Sequence, residues 1–353
     1  MQPFKTLIVC LCLVLACGCV EKKKDNFDRT ALLNNLYSNV IYPDYQAFQN
    51  SVAAFQASTD AFLLNADSVR LDSLKATYLN AYKSFQAVEV YSFSIAPDLR
   101  SELNTFPPDT SQIGLNIATG SYDLTTVNNI RAKGFPAIDF LLFSKSNSET
   151  VADFTSMDRK NYLNDVVQDI REKAAAAAVG WSSFAQEFAN ASGTDVGSSV
   201  AMLVNDLSFA AERNRRERVG NALGYVGVIS GGSVVPNAVE AYYNTNSKEL
   251  LVENLQRLKN LYEGGSGQGF DDYLVGLNAD YNGTPLATEI SNQFDRVILS
   301  AQNVPVAFSS AVTTHNAEMQ TLFLELKKLT VLLKVDISSN LGVIINYSDN
   351  DGD

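Results

Sequence analysis

Apolar side chains recur along much of the chain at the three- and four-residue spacing of a helix. Two early series, at residues 45–62 and 71–88, follow this spacing closely. Each series places an apolar stripe on one face of a helix, and that stripe has to be buried against other helices. Asp28 and Asp67 precede such series and are suited to accept the first free N–H groups of a helix. Pro97 follows the second series, and proline cannot continue a helix.

The same spacing predicts helices over most of the remaining sequence. One begins at Gly134-Phe135-Pro136, where a proline in the first turn costs no hydrogen bond. Another, at 157–179, contains the strong helix formers Ala174 to Ala178. Further helices are predicted near 109–118, 123–132, 197–216, 247–262, 286–300 and 305–334. Only residues 343–347 suggest a strand, so we expect an all-α protein.

The length of 353 residues favours two domains. The stretch at 190–197 is small, polar and rich in turn-forming residues, as expected of a connection between domains. We therefore predict one helical-bundle domain at 27–193 and a second at 197–353.

The first residues look like an export signal. A short basic start precedes an apolar run at 7–16, which is too short to cross a bilayer. Val14-Leu15-Ala16-Cys17 resembles a bacterial lipobox, with Cys17 as the lipidated residue and Cys19 as the alternative; a plain signal peptide rich in cysteine is the other interpretation. Residues 1–19 then form the lipoprotein signal and lipobox, and 20–26 a polar tether. This predicts a lipid-anchored protein of the bacterial cell envelope, on the periplasmic face or the cell surface.

Composition excludes several classes of function. Lys and Arg number 27 against 39 Asp and Glu, for a net charge of -12, which argues against nucleic-acid binding. His315 is the single histidine, so a site with several histidines is excluded. All four cysteines lie between residues 10 and 19. The chain from residue 27 onward therefore has no disulfide, thiolate metal site or cysteine nucleophile.

Two motifs have a chemical and a structural interpretation. His315 and Glu318 would share one face of a helix and form half of a metal site, but an ordinary polar helix face explains them better. The glycine-rich stretch at 264–269 lacks the lysine of a phosphate-binding loop and follows a helix, so a helix-ending turn is favoured.

Two charged segments are also open to two interpretations. The arginines at 213, 215, 216 and 218 suit the end of a helix, where cations stabilise the helix dipole. Alternatively, they bind an anion or an acidic residue of the other domain. The terminal Asp349-Asn350-Asp351-Gly352-Asp353 suggests a calcium loop, but the register lacks the required first and last carboxylates, so an acidic tail is favoured.

Several stretches, in the same order along the chain, resemble the imelysin family, also classified as peptidase family M75. They are 82–93, Gly134-Phe135-Pro136-Ala137-Ile138-Asp139, 218–224, 236–243, 267–270 and 341–343. The second resembles the family's G-x-H-x-x-E motif. The resemblance implies two helical bundles packed on each other with a cleft at their interface. It also implies an exported protein, often lipid-anchored, associated with bacterial iron or haem acquisition.

The chain departs from that motif at its two chemical positions. Pro136 occupies the histidine position and Asp139 the glutamate position. Proline offers no ligating atom, and aspartate is one methylene shorter than glutamate. The family pattern also carries over onto Gly134, Glu89, Arg218 and Glu240 as residues that line the interface, whereas the identity of any metal stays unknown.

The resemblance leaves two hypotheses for function. The first is a non-catalytic lipoprotein that binds iron, haem or another nutrient for uptake, with an outer-membrane transporter as a partner. The second is an M75-type metallopeptidase, which is less consistent with the replaced motif residues. No nucleophile motif supports hydrolysis.

Overall fold

The computed structural model describes residues 26–93, 98–226 and 231–347, and the regular structure in these ranges is almost entirely helical. The leader, Pro97 and the tail at 349–353 lie outside them. The N-terminal half contains α1 (Arg29–Leu36), α2 (Tyr42–Leu64), α3 (Ser68–Val88), α4 (Leu99–Leu103), α5 (Thr110–Thr119), α6 (Gly134–Phe143), α7 (Asn147–Asp153) and α8 (Met157–Asn190). Within the described ranges, no helix is long and apolar enough to span a bilayer.

The N-terminal half is built around α2, which packs against both α3 and α8. A π-helical segment, Tyr37–Ile41, joins α1 to α2 into one continuous rod. The predicted caps are confirmed, because Asp28 accepts the Ala31 N–H at 2.9 Å and Asp67 accepts the Arg70 N–H at 2.8 Å. The apolar stripes meet in an aromatic core in which Trp181 is fully buried. Burying a large apolar side chain of this kind contributes about 2–3 kcal/mol.

The C-terminal half contains α9 (Ser199–Arg213), α10 (Asn221–Leu223), α11 (Ser247–Glu263), α12 (Phe270–Gly276), α13 (Leu286–Gln302), α14 (Phe308–Thr314), α15 (Asn316–Val331) and α16 (Ser338–Leu341). Helix α13 packs between α11 and α15, and α15 also contacts α9. Two further π-helical segments, Asn214–Gly220 and Leu332–Ile337, extend α9 and α15. Short 3-10 turns occur at Val127–Asn129 and Pro236–Ala238.

The two halves meet where α11 packs on α3. The predicted boundary falls in the connection between the end of α8 at Asn190 and the start of α9 at Ser199. The assignment of the halves to separate domains, at 27–193 and 197–353, stays a prediction.

Four details of the predicted secondary structure were wrong. Near 123–132, where a helix was predicted, only the 3-10 turn Val127–Asn129 forms. Helix α8 runs to Asn190 rather than 179, so Trp181 lies inside it. The helix predicted at 305–334 is broken at His315. Residues 343–347 form no strand; the Ile344 carbonyl oxygen and the Asn346 N–H bond instead to the side chain of Asn205, at 3.1 and 2.8 Å.

A short hairpin was not predicted. Strands β1 (Asp280–Tyr281) and β2 (Thr284–Pro285) pair antiparallel. Asn282 and Gly283 connect them, both with positive φ. An Asn-Gly pair between two strands is the preferred sequence for such a turn, so the signal was present in the sequence.

Candidate functional site

The two halves are joined by a buried ionic cluster, which consists of Glu89, Arg213, Arg218 and Glu240. Arg213 Nη1 lies 2.7 Å from Glu89 Oε2, and Arg218 Nη2 donates to Glu89 Oε1. Arg218 Nε lies 2.8 Å from Glu240 Oε2, although these two atoms are not aligned for a hydrogen bond. All four residues are at most 6% exposed. Glu89 comes from the N-terminal half and the arginines from the C-terminal half, so the cluster crosses the interface.

The π-helical segment after α9 explains how two arginines five residues apart reach the same carboxylate. In an α-helix, Arg213 and Arg218 would differ by about 140° in direction. In a π-helix, the backbone bond runs from residue i to i+5, which brings such residues onto one face. The segment Asn214–Gly220 therefore directs both guanidinium groups towards Glu89.

Four amide side chains complete the hydrogen bonding of the cluster. Asn104 Nδ2 donates to Glu240 Oε1 at 2.7 Å and to Glu89 Oε2 at 3.1 Å. Asn254 Nδ2 donates to Glu89 Oε1 at 3.0 Å. The others are Gln86 and Asn214, which accept from Arg218 at 2.7 and 2.8 Å. Such partners are needed because a buried charge without hydrogen bonds strongly destabilises a fold.

Glu89 remains ionised in this environment. Burial raises the pKa of the Glu89 carboxyl, but the attraction of Arg213 and Arg218 and the hydrogen bonds from Arg213 and Asn104 outweigh it and lower the pKa to about 2. Desolvation lowers the pKa of the Arg213 guanidinium, but the attraction of Glu89 and Glu217 and the hydrogen bond to Glu89 together outweigh it and raise the pKa. The cluster is thus a charge-paired contact between the two halves.

Gly134, the first residue of the family motif, is required by backbone packing. Its φ is +70°, and a Cβ there would lie 2.2 Å from the carbonyl oxygen of Leu103. This close approach packs the start of α6 against the end of α4, directly before Asn104. Phe135 then stacks on Tyr82, with ring centroids 4.5 Å apart. The glycine therefore helps to place the amide that bonds both carboxylates of the cluster.

Asp139 lies outside the direct contacts of the cluster and binds a loop instead. Its Oδ2 accepts the Tyr243 N–H at 2.9 Å and its Oδ1 accepts the Asn244 N–H at 3.1 Å. Asp139 is 2% exposed, and burial, with a smaller contribution from Glu240, raises its pKa to about 7 against the effect of the two backbone N–H groups. Pro136 lies in the first turn of α6 and is buried.

The motif positions of this chain do not form a resident metal site. Pro136 supplies no donor atom, and both Asp139 oxygens already accept backbone N–H groups. His315 lies at the break before α15, where its Nδ1 is 2.9 Å from Thr314 Oγ1. In the ranges that the structure describes, no group of three or more His, Cys, Asp or Glu side chains is arranged to hold a metal ion.

Of the residues predicted to line the interface, the structure brings Glu89, Arg218 and Glu240 into contact, and their role in binding stays a prediction. The preferred interpretation of the arginine series was incomplete, because Arg213 and Arg218 bind a carboxylate of the other half. Arg215 and Arg216 approach Glu212 of their own helix, at 2.6 and 3.7 Å.

The amides of the cluster were not predicted from the sequence. Asn254 interrupts the buried leucine series of α11, and Gln86 lies in the buried aromatic series of α3. A polar residue at an apolar position is the signal that would have identified both. The glycine-rich stretch is a docked turn, as favoured: Asn35 Nδ2 donates to the carbonyl oxygens of Gly264 and Gln268 at 2.8 and 2.7 Å.

A model of the Imelysin family, Peptidase_M75, matches residues 41–334 of the chain. The chain belongs to the imelysin family. Its fold is similar to a crystal structure described as a putative iron-regulated protein A precursor from Parabacteroides distasonis ATCC 8503, with a TM-score of 0.75, 16% identity, and coverage of 89% of this chain and 95% of that one.

A second similar structure is an imelysin-like protein from Psychrobacter arcticus 273-4, with a TM-score of 0.66, 15% identity, and coverage of 91% and 97%. At these identities the likeness shows the fold. No protein among curated sequences matches the chain.

Proposed function

We propose that this imelysin is a non-catalytic binding protein of the bacterial cell envelope. It is anchored by lipid at Cys17, with Cys19 as the alternative, and serves the uptake of iron, haem or another nutrient. Family membership and the iron-regulated description of one structural neighbour support this proposal. The partner that we propose for this role is an outer-membrane uptake transporter.

The observation that carries the non-catalytic part is the use of the motif carboxylate. Both carboxylate oxygens of Asp139 accept hydrogen bonds from the backbone N–H groups of Tyr243 and Asn244. Pro136 stands in the position of the motif histidine. Glu89 and Glu240 are paired with arginines. A hydrolase needs a base, nucleophile or metal-bound water that is free to react, and these carboxylates are occupied by structural contacts.

Two measurements on the purified protein test the proposal. Calorimetric titrations with ferrous iron, ferric iron, copper and haem are expected to show binding of at least one of the iron species or haem. A peptidase assay with and without chelator is expected to show no activity. No binding to any of the four would contradict the iron and haem assignment, and chelator-sensitive proteolysis lost in Asp139→Ala would establish the metallopeptidase alternative.

A further inference from the structure

A cavity of about 440 Å³ opens beside the buried ionic cluster. Its lining includes Arg100, Ser101, Asn104, Arg213, Arg216 and Asn221. Asn104 and Arg213 are also partners of Glu89, so the cavity reaches the hydrogen-bond network that joins the two halves. A second cavity, of about 590 Å³, lies between α13 and α15 and includes Arg296 in its lining.

Arg100 and Arg213 both line this cavity, but they differ in how far their guanidinium nitrogens are engaged by hydrogen bonds. Arg213 uses its three nitrogens on Glu217, Glu89 and the Asn104 carbonyl oxygen. The guanidinium of Arg100 lies over the Phe209 ring at 4.4 Å and donates no hydrogen bond within the described ranges. Its side chain is 26% exposed. Arg100 is therefore a cation held over an aromatic ring, with N–H groups that no hydrogen bond engages within the described ranges and with Asp98 3.6 Å from its Nη2.

For binding of a ligand in this cavity, the N–H groups of Arg100 matter more than the net charge of the lining residues. Three arginines line the cavity against one carboxylate, that of Glu217. However, Asp98 lies 3.6 Å from Arg100 Nη2 and Glu212 lies 3.7 Å from Arg216 Nε, which reduces the positive potential. Recognition by hydrogen bonds is then the stronger effect, because the planar guanidinium fork fits the two oxygens of a carboxylate.

We propose that this cavity binds a small organic anion that carries carboxylate groups, free or as its ferric chelate. Arg100 binds a carboxylate in bidentate fashion, and Arg216 also lines the cavity. The inference rests on the proposed function as a binding protein and names the class of its ligand. A ferric chelate of this kind would connect the cavity to iron uptake, whereas the free anion would connect it to another nutrient.

Calorimetric titration with citrate and, separately, with ferric citrate tests the inference. Wild-type protein is expected to bind at least one of the two, and Arg100→Leu is expected to lower that affinity at least tenfold. Arg100→Lys keeps the charge without the fork and should fall between them. Arg296→Leu, in the second cavity, is the matched control and should bind as the wild type does. Thermal unfolding of each variant verifies that it is folded.

The separate titrations distinguish the free anion from its ferric chelate as the ligand. They also distinguish failure of this inference from failure of the proposed function. Binding of ferric citrate alone, reduced in Arg100→Leu, supports the inference with the chelate as ligand, and binding of citrate alone supports it with the free anion. Equal affinity in wild type and folded Arg100→Leu overturns the inference, as does silence towards both probes. If haem or ferric iron still binds in that last case, the proposed function stands and only the assignment of the anion fails.

Discussion

Glu89 and Asp139 are buried to a similar extent, yet their carboxyl groups have opposite electrostatics. Glu89 faces two arginines, and its pKa is lowered to about 2. Asp139 faces two backbone N–H groups and no cation, and desolvation raises its pKa to about 7. The charge state of a buried carboxyl is thus determined by its partners rather than by its depth. The arginine-paired residue joins the two halves, and the unpaired residue holds a loop.

Asp206 extends the comparison, because it is likewise a buried carboxyl that accepts hydrogen bonds from a loop of the other half, although Arg100 also attracts it. It accepts the Ser92 N–H at 3.1 Å and a hydrogen bond from the Ser92 hydroxyl. Burial raises its pKa to about 7 against these hydrogen bonds. Two loops, at Ser92 and at Tyr243, are therefore fixed by carboxyl groups that change charge near neutral pH.

The largest effect is expected from removing the charge of Glu89. Glu89→Gln leaves Arg213 and Arg218 buried without their shared counter-ion, and breaking a buried ion pair in this way costs about 3–5 kcal/mol. Urea unfolding at pH 7 should show a loss of that order. Glu318→Gln, at an exposed position, serves as the control and should change the stability by less than about 0.5 kcal/mol. A loss below about 1 kcal/mol for Glu89→Gln would show that the cluster does not hold the halves together.

The next effect is a pH dependence that belongs to Asp139. Its pKa in the folded protein is raised from 3.8 to about 7, so its contribution to stability is complete below the unfolded pKa and is lost as the pH rises through 7. Between pH 5 and 7.5 this loss amounts to about 2–3 kcal/mol. Asp139→Asn removes it, so the stability of the variant relative to wild type should rise by that amount over this range.

Urea unfolding of both proteins at several pH values measures the difference. Asp206→Asn is the matched variant and should show the same trend, since burial raises its pKa to the same value. A constant difference in the free energy of unfolding between Asp139→Asn and wild type across this range would contradict the assignment.

The contribution of Glu89 to stability has the opposite pH dependence. Because its pKa is lowered in the folded protein, this contribution is lost only as the pH falls from 4.5 towards 2.

The smallest effect is expected at His315. The residue lies at the start of α15 and makes no side-chain cap for that helix, and its Nδ1 contacts the neighbouring Thr314 hydroxyl. His315→Ala should therefore change the free energy of unfolding by less than about 1 kcal/mol. It should also leave the calorimetric titrations with iron and haem unchanged. A tenfold weaker affinity for either ligand would restore His315 to the candidate site.

The helices were largely predictable because their apolar spacing is regular. The predicted starts at 157, 247 and 286 agree with α8, α11 and α13. The ends were less certain, since α8 continues past the alanine series through Trp181. The break at His315 has no proline or glycine in the sequence to mark it.

The candidate site was predictable only through the family resemblance. Glu89, Arg218 and Glu240 are far apart in sequence, and spacing alone could not bring them together. The π-helical segment that directs Arg213 and Arg218 to one face depends on tertiary context. Likewise, the role of Asp139 required the loop at Tyr243, whose approach to α6 is a property of the fold.

Infrared difference spectroscopy at pH 5.5 tests the contrast between Asp139 and Glu89 most directly. The spectrum of wild type minus Asp139→Asn is expected to contain the carbonyl band of a protonated carboxylic acid, because the pKa of Asp139 lies above that pH. The spectrum of wild type minus Glu89→Gln is expected to contain carboxylate bands and no protonated-acid band from the wild type, because Glu89 is ionised by its arginines. A carboxylate band for Asp139, or a protonated-acid band for Glu89, would contradict the account.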